Sequence, residues 1–314
     1  MQIYLAKPRG FCAGVDYAIG IVYEALELFG APVYILKEIV HNQLIVQELA
    51  EKGAHSVSSI EEVPTGGLLI FSAHGVPPEF HIIAKERGLR VIDAACPLVR
   101  KVHLEAVRFA REGFTIIYIG HEGHDEAIGV LAEAPDSIIL VDGIESARRV
   151  KPTKTEKMIY LTQTTLSVNE TDQIVEILKE RFPHLEAPPT DDICYATTNR
   201  QLAVKELARH CELILVLGSQ NSSNSQRLRE SAENAGAKAY LIDSKDEIRA
   251  EWLEAIESIG ITAGASAPEK LVQEVVAELR RRSPESIVTE LDTIHENMYF
   301  PVPNLSKKVE GSLV

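Results

Sequence analysis

Residues 91–107 read VIDAACPLVRKVHLEAV. A short run with β-branched residues fits a strand. Pro97, just after Cys96, fits the first turn of a helix, where its missing N–H is no loss. The order strand, cysteine, helix recurs in IYLAKPRGFCAGVDYAIGIV (3–22) and in DDICYATTNRQLAVKELA (191–208). Cys12, Cys96 and Cys194 stand 84 and 98 residues apart, about the length of one small domain.

Around these junctions the chain alternates two patterns. Apolar runs read as strands: IYLA (3–6), VYILKEIV (33–40), LLIFSA (68–73), RVIDAA (90–95), FTIIYIG (114–120), SIILVD (137–142), KMIYLT (157–162), LILVLG (213–218), AYLID (239–243) and GITAGA (260–265). Residues 13–29 instead place Val15, Ala18, Ile19, Val22, Leu26 and Phe29 at helical spacing. Gly30, Gly53, Gly88, Gly113 and Gly236 follow helical stretches, where a residue of positive φ closes the last turn. Short strands apolar on both faces and separated by helices imply parallel sheets. The class is α/β, with three similar small domains: 14–95, 96–190 and 191–285. The third is completed by the strand in 1–13 and by 286–314, a closing strand from about Ile287 and a tail. The most loop-like boundary is PHLEAPPT (183–190).

With 46 acidic against 32 basic residues the net charge is −14, which disfavours nucleic acid and anionic membrane as partners. Four cysteines with no CxxC pair make neither a disulfide framework nor a zinc finger. No apolar leader opens the sequence and no run approaches a membrane span, so a cytoplasmic protein is expected.

Ligands of open parallel sheets sit beyond the carboxyl ends of the strands. The residues there are His41 and Asn42, His74, Cys96, then His121, His124, Asp125 and Glu126, then Gln163, Thr164 and Thr165, then Ser219 to Asn224, and Ser266. Lysine and arginine are nearly absent from this set. Ser222, Ser223 and Asn224 are suited to capping the helix that follows, and the same geometry offers N–H groups to an anion. Thr164 and Thr165 carry the same two readings. His55, His81, His103, His184, His210 and His295 read as solvated or capping residues. Cys211 precedes its strand, at the opposite edge, and reads as structural.

Three cysteines at equivalent junctions point to a metal. A three-cysteine zinc site is one reading. An iron–sulfur cluster with one iron left open is another; it supplies a Lewis acid and an electron route. A cluster-dependent dehydratase without net electron flow and an iron–sulfur regulator also fit three thiolates. No GxGxxG or GxxxxGK[ST] motif occurs, so a Rossmann site or P-loop is unsupported.

Nine segments in series resemble one family: GFCAGV, EIVHN, FSAHGV, DAACPLV, GHEGHDE, LTQTTLS, ICYATTNRQ, GSQNSSNS and GASAP, between residues 10 and 268. They look like the 4-hydroxy-3-methylbut-2-enyl diphosphate reductases of the non-mevalonate isoprenoid pathway. The resemblance implies three α/β domains arranged pseudo-threefold around a central 4Fe-4S cluster held by Cys12, Cys96 and Cys194. Its fourth iron would take the substrate hydroxyl. His41, His74, His124, Ser222, Ser223, Asn224 and Ser266 would hold the diphosphate, Thr164 the hydroxyl region, and Glu126 would deliver protons. The electrons would come from a ferredoxin or flavodoxin.

Overall fold

A computed structural model describes residues 1–307. The last seven residues of the expected tail lie outside them. Thirteen strands run β1 (Gln2–Lys7), β2 (Val33–Leu36), β3 (Ala54–Val57), β4 (Leu68–Phe71), β5 (Arg90–Asp93), β6 (Thr115–Ile119), β7 (Ile138–Val141), β8 (Met158–Thr162), β9 (Leu185–Glu186), β10 (Leu213–Leu217), β11 (Lys238–Ile242), β12 (Ser258–Ala263) and β13 (Ile287–Asp292). The helices are α1 (Ala13–Phe29), α2 (Gln43–Glu51), α3 (Pro78–Glu86), α4 (Pro97–Arg111), α5 (Asp125–Glu133), α6 (Ile144–Arg149), α7 (Val168–Arg181), α8 (Tyr195–Leu207), α9 (Ser223–Asn234) and α10 (Glu269–Arg282). Among the described residues no helix is long and apolar enough to cross a membrane.

The strands form three sheets, ordered β11-β10-β12-β1-β13, β3-β2-β4-β5 and β7-β6-β8-β9, with every pairing parallel. The three orders are one pattern. In each sheet an inner strand (β10, β2 or β6) has its chain successor on one side (β11, β3 or β7). On the other side lies the next strand but one (β12, β4 or β8), and beyond that a fourth (β1, β5 or β9). The winding reverses at the inner strand, the place where open α/β sheets bind ligands.

By contact the chain divides into two compact units. Met1–Ala13, His41–Gln43 and Tyr195–Met298 form one, which contains the five-stranded sheet; Gly14–Val40, Leu44–Cys194 and the described residues from Tyr299 onward form the other, which contains the two four-stranded sheets.

β6 shows why such strands are apolar throughout. Ile116 and Tyr118 pack with Val102, Ala106 and Phe109 of α4 and Val130 of α5. Ile117 and Ile119 point the opposite way, into a cluster with Leu166 and with Ile174 and Leu178 of α7. Side chains alternate faces along a strand, so a sheet covered by helices on both sides needs both alternations apolar.

All five glycines expected to close helices have positive φ. Some boundaries differ from expectation. VYILKEIV stays in the sheet only to Leu36. Lys37 turns left-handed at φ 62° and donates its N–H to the Val57 carbonyl at 2.7 Å. Lys37 therefore stands at a strand's carboxyl end and pairs with Asp125, which corrects the expectation of an end almost free of cations. β3 and β9 carry no strong apolar signal: β3 is AHSV, with His55 and Ser56 exposed, and β9 has only two residues. β9 lies inside the stretch expected to be loop.

Candidate functional site

The three cysteines occupy one topological position. Cys12 follows β1, Cys96 follows β5 and Cys194 follows β9, in each case after the fourth strand of the pattern, and each directly precedes a helix (α1, α4 and α8). Their backbones are tied alike. The Cys12 N–H donates to the Ala265 carbonyl at 3.4 Å, that of Cys96 to Ala73 at 3.0 Å and that of Cys194 to Thr164 at 3.0 Å. Each acceptor lies in the loop leaving β12, β4 or β8. It is a candidate site residue or directly precedes one: Ser266, His74 and Thr164.

The other candidates follow the two strands flanking the reversal. His41 and His74 come after β2 and β4; His124 and Glu126 after β6, and Thr164 after β8; Ser222, Ser223 and Asn224 after β10, and Ser266 after β12.

In the first unit, Ser222 is the N-cap of α9 and accepts from the Ser225 N–H. Ser223 and Asn224 open the helix. The Asn224 Oδ1 accepts from the Ala265 N–H at 2.9 Å, so the loop that bonds Cys12 also bonds Asn224. The Ser266 hydroxyl donates to the His41 carbonyl at 3.1 Å, which fixes the backbone at His41.

In the second unit, Glu126 is only 1 % exposed. It accepts from the Thr164 N–H at 2.6 Å and from the Thr164 hydroxyl at 2.9 Å. Burial pushes its carboxyl up from 4.5 to about 7; the two Thr164 bonds and the nearby His103 pull the other way, and Asp192 adds to the rise. A carboxylic acid that is half ionised near neutrality suits proton transfer. His124 is the N-cap of α5, with Nδ1 accepting from the Glu126 N–H at 3.2 Å. In the neutral ring an accepting Nδ1 leaves Nε2–H as the donor. The His74 ring lies edge-on to His124 at 6.1 Å, and its Nδ1 is 3.4 Å from the Ser72 hydroxyl.

Thr164 and Thr165 do not cap the next helix; Ser167 does, accepting from the Glu170 N–H. That frees the Thr164 hydroxyl for Glu126. His103 is neither solvated nor a cap. It is 12 % exposed and bonded to Glu133 at 2.8 Å. Its ring fills the space that a Cβ on Gly75 or Gly129 would need, a long-range fit with no signature in the sequence.

None of the four cysteines is in a disulfide, but they are not equivalent. Cys211 is buried in the apolar cluster with Leu207 and Ile214, and burial pushes its thiol up to about 12, which disfavours ligation. The other three are partly buried and directly precede the helices α1, α4 and α8. A buried arginine was missed from sequence: Arg200 of α8, 0 % exposed, bonds the carbonyls of Gly10 and Phe11.

The three-sheet fold, with its polar groups at strand carboxyl ends and a cysteine at each fourth strand, defines a thiol-bearing α/β enzyme. The chain belongs to the LytB protein family, whose model matches residues 3–280. It is 52 % identical over 303 residues to a Streptomyces coelicolor protein named 4-hydroxy-3-methylbut-2-enyl diphosphate reductase, covering 96 % of this chain and 89 % of that one. A Rhodococcus jostii protein of the same name is 53 % identical, with 96 % and 90 % covered. Among solved structures, the E-1-hydroxy-2-methyl-but-2-enyl-4-diphosphate reductase from Plasmodium falciparum matches with TM-score 0.93 and 38 % identity, covering 96 % of this chain and 95 % of that one. A structure described as the terminal enzyme of the non-mevalonate pathway matches with TM-score 0.63 and 30 % identity over 90 % of this chain and 100 % of that one.

Proposed function

We infer that this chain is an oxidoreductase that removes the hydroxyl group of 4-hydroxy-3-methylbut-2-enyl diphosphate, giving isopentenyl and dimethylallyl diphosphates. The named relatives carry this activity in their names, and the segments that resemble them span most of the chain. The observation that carries the residue-level reading is the recurrence of one layout in three sheets, with a cysteine after the fourth strand and polar donors after the two strands at the reversal.

Cys12, Cys96 and Cys194 hold a 4Fe-4S cluster. When bound, it supplies an open Lewis-acidic iron and a route for electrons. His41, His74, His124, Ser222, Ser223, Asn224 and Ser266 hold the diphosphate through imidazole, hydroxyl, amide and helix N-terminal donors. His124 presents Nε2–H because its Nδ1 is engaged by the Glu126 backbone. Glu126 is the proton source. Its carboxyl titrates near neutrality, and the Thr164 hydroxyl at 2.9 Å passes the proton toward the substrate hydroxyl. Two electrons and two protons replace the C–O bond with C–H and release water. A ferredoxin or flavodoxin supplies the electrons one at a time. The domain division 14–95, 96–190 and 191–285, completed by 1–13 and 286–314, is supported by the strands of each sheet falling inside one set of ranges, while the described residues from Tyr299 onward belong by contact with the four-stranded sheets instead.

The test is anaerobic purification, iron and sulfide analysis, and a reductant-dependent assay on the diphosphate. About four irons per chain and turnover only with reductant are expected. A colourless zinc protein, or turnover without reductant, would overturn the reading. Cys194→Ser should degrade the cluster; full iron content and activity in that variant would remove Cys194 from the ligand set.

A further inference from the structure

We propose that Arg200 is a positioning residue for the Cys12 thiol, and that Glu296 holds Arg200 in place. The proposal rests on the reading of Cys12 as a metal ligand. A guanidinium taken wholly out of water is costly unless every donor is answered, and here each nitrogen is. Nε and Nη2 donate to the Gly10 carbonyl at 3.0 and 2.7 Å. Nη2 also donates to the Phe11 carbonyl at 3.1 Å. Nη1 donates to the Ala196 carbonyl at 3.2 Å and to Glu296 at 3.0 and 3.3 Å.

The direction of this fork matters more than its charge. Two of its three nitrogens are spent on the two peptide units just before Cys12. On the far side of the thiol, the Ala13 N–H donates to the Tyr195 hydroxyl at 3.0 Å. Helix α8 thus grips the Cys12 backbone before and after the sulfur, through Arg200 and Tyr195. The Cys12 N–H itself bonds the Ala265 carbonyl. Gly10 has φ of +69°, and a Cβ there would sit 3.1 Å from the Ala267 carbonyl, so the loop has little freedom to find another path.

Glu296 comes from the segment after β13 and also accepts from the Asn199 amide at 3.1 Å. It is the only carboxylate in ion-pair contact with Arg200 among the described residues. The placement of an N-terminal thiol thereby depends on a segment near the C-terminus.

Two variants test this. Arg200→Lys keeps a positive charge but loses the planar fork that reaches successive carbonyls. Glu296→Gln keeps size and an acceptor but removes the counter-charge. The metal-free protein is treated with iodoacetamide, and alkylation at each cysteine is timed by peptide mass spectrometry. In folded variants, checked by circular dichroism, Cys12 should react about tenfold faster, the scale of one lost charged hydrogen bond, with Cys96 unchanged. Iron retention after anaerobic reconstitution should fall by about 10–100-fold in affinity, as for other groups that orient metal ligands. A Cys12 rate equal to the parent's, or equal acceleration at Cys12 and Cys96, would overturn the proposal. If Arg200→Lys fails to fold, the Glu296→Gln result decides. A parent protein that binds no iron would refute the cluster reading, while the alkylation contrast still judges the role of Arg200.

Discussion

Two buried carboxylates in the second unit are both raised by burial but differ in their partners. Asp192 receives the Lys101 ammonium at 2.7 Å and the Thr162 N–H at 2.9 Å. Burial leaves its carboxyl above the usual aspartate value, although Lys101, the Thr162 N–H and a hydrogen bond with Glu105 pull it down. Glu126 receives only the N–H and hydroxyl of Thr164, with no lysine or arginine among the groups acting on it, and rises to about 7. A cation beside a buried carboxylate opposes the rise that burial causes. Neutral donors alone leave a group that gains and loses a proton near neutral pH.

The sharpest way to break this contrast is Glu126→Gln. With the cluster and substrate binding intact, turnover should fall by about 10²–10⁴-fold, the usual scale for losing a general acid. In the parent, activity should decline as pH rises through about 7, because the protonated acid is the active form. Near-normal turnover in the variant would remove Glu126 from the proton path.

Lys101→Met attacks the other member of the pair. It leaves Asp192 buried without its cation, and unfolding in urea should show a loss of about 3 kcal/mol, near the low end for such cuts because Lys101 is partly exposed. An unchanged midpoint would mean that the Thr162 N–H alone suffices.

The pH dependence of stability gives a third test. A carboxyl raised from 4.5 to about 7 on folding binds its proton more tightly in the folded state. Its favourable contribution is full below pH 4.5 and is lost as pH rises to about 7. The loss totals about 3 kcal/mol. Glu126→Gln should lack this loss, so its stability relative to the parent should climb between pH 4.5 and 7 and then level off. A difference that stays constant across that window would mean Glu126 does not titrate there.

Cys211→Ser should have the smallest effect. It places a hydroxyl in an apolar cluster and should cost about 1–2 kcal/mol with iron content unchanged. Lost iron would add Cys211 to the ligand set.

The sequence was most readable where chemistry is local. α1 ends where its spacing and Gly30 place the end, and Pro97 opens α4 as its ring requires. The strands β3 and β9 were not readable, since β9 has two residues and β3 holds only two buried residues, Ala54 and Val57, around exposed His55 and Ser56. Lys37 was absorbed into a strand because nothing near it marks the left-handed turn. His103 looked solvated because the glycines it packs against, Gly75 and Gly129, are distant in the chain.

By itself the sequence determined the α/β class, the three cysteine junctions and the polar strand ends, because strand propensity, helix starts and period-two burial act over a few residues. Tertiary structure alone decided how those groups behave. Glu126 becomes a near-neutral acid through burial beside a threonine 38 residues away, and the Cys12 loop is gripped by an arginine 190 residues from Gly10. Desolvation and long-range hydrogen bonds set protonation and position, and both depend on which distant residues the fold brings together.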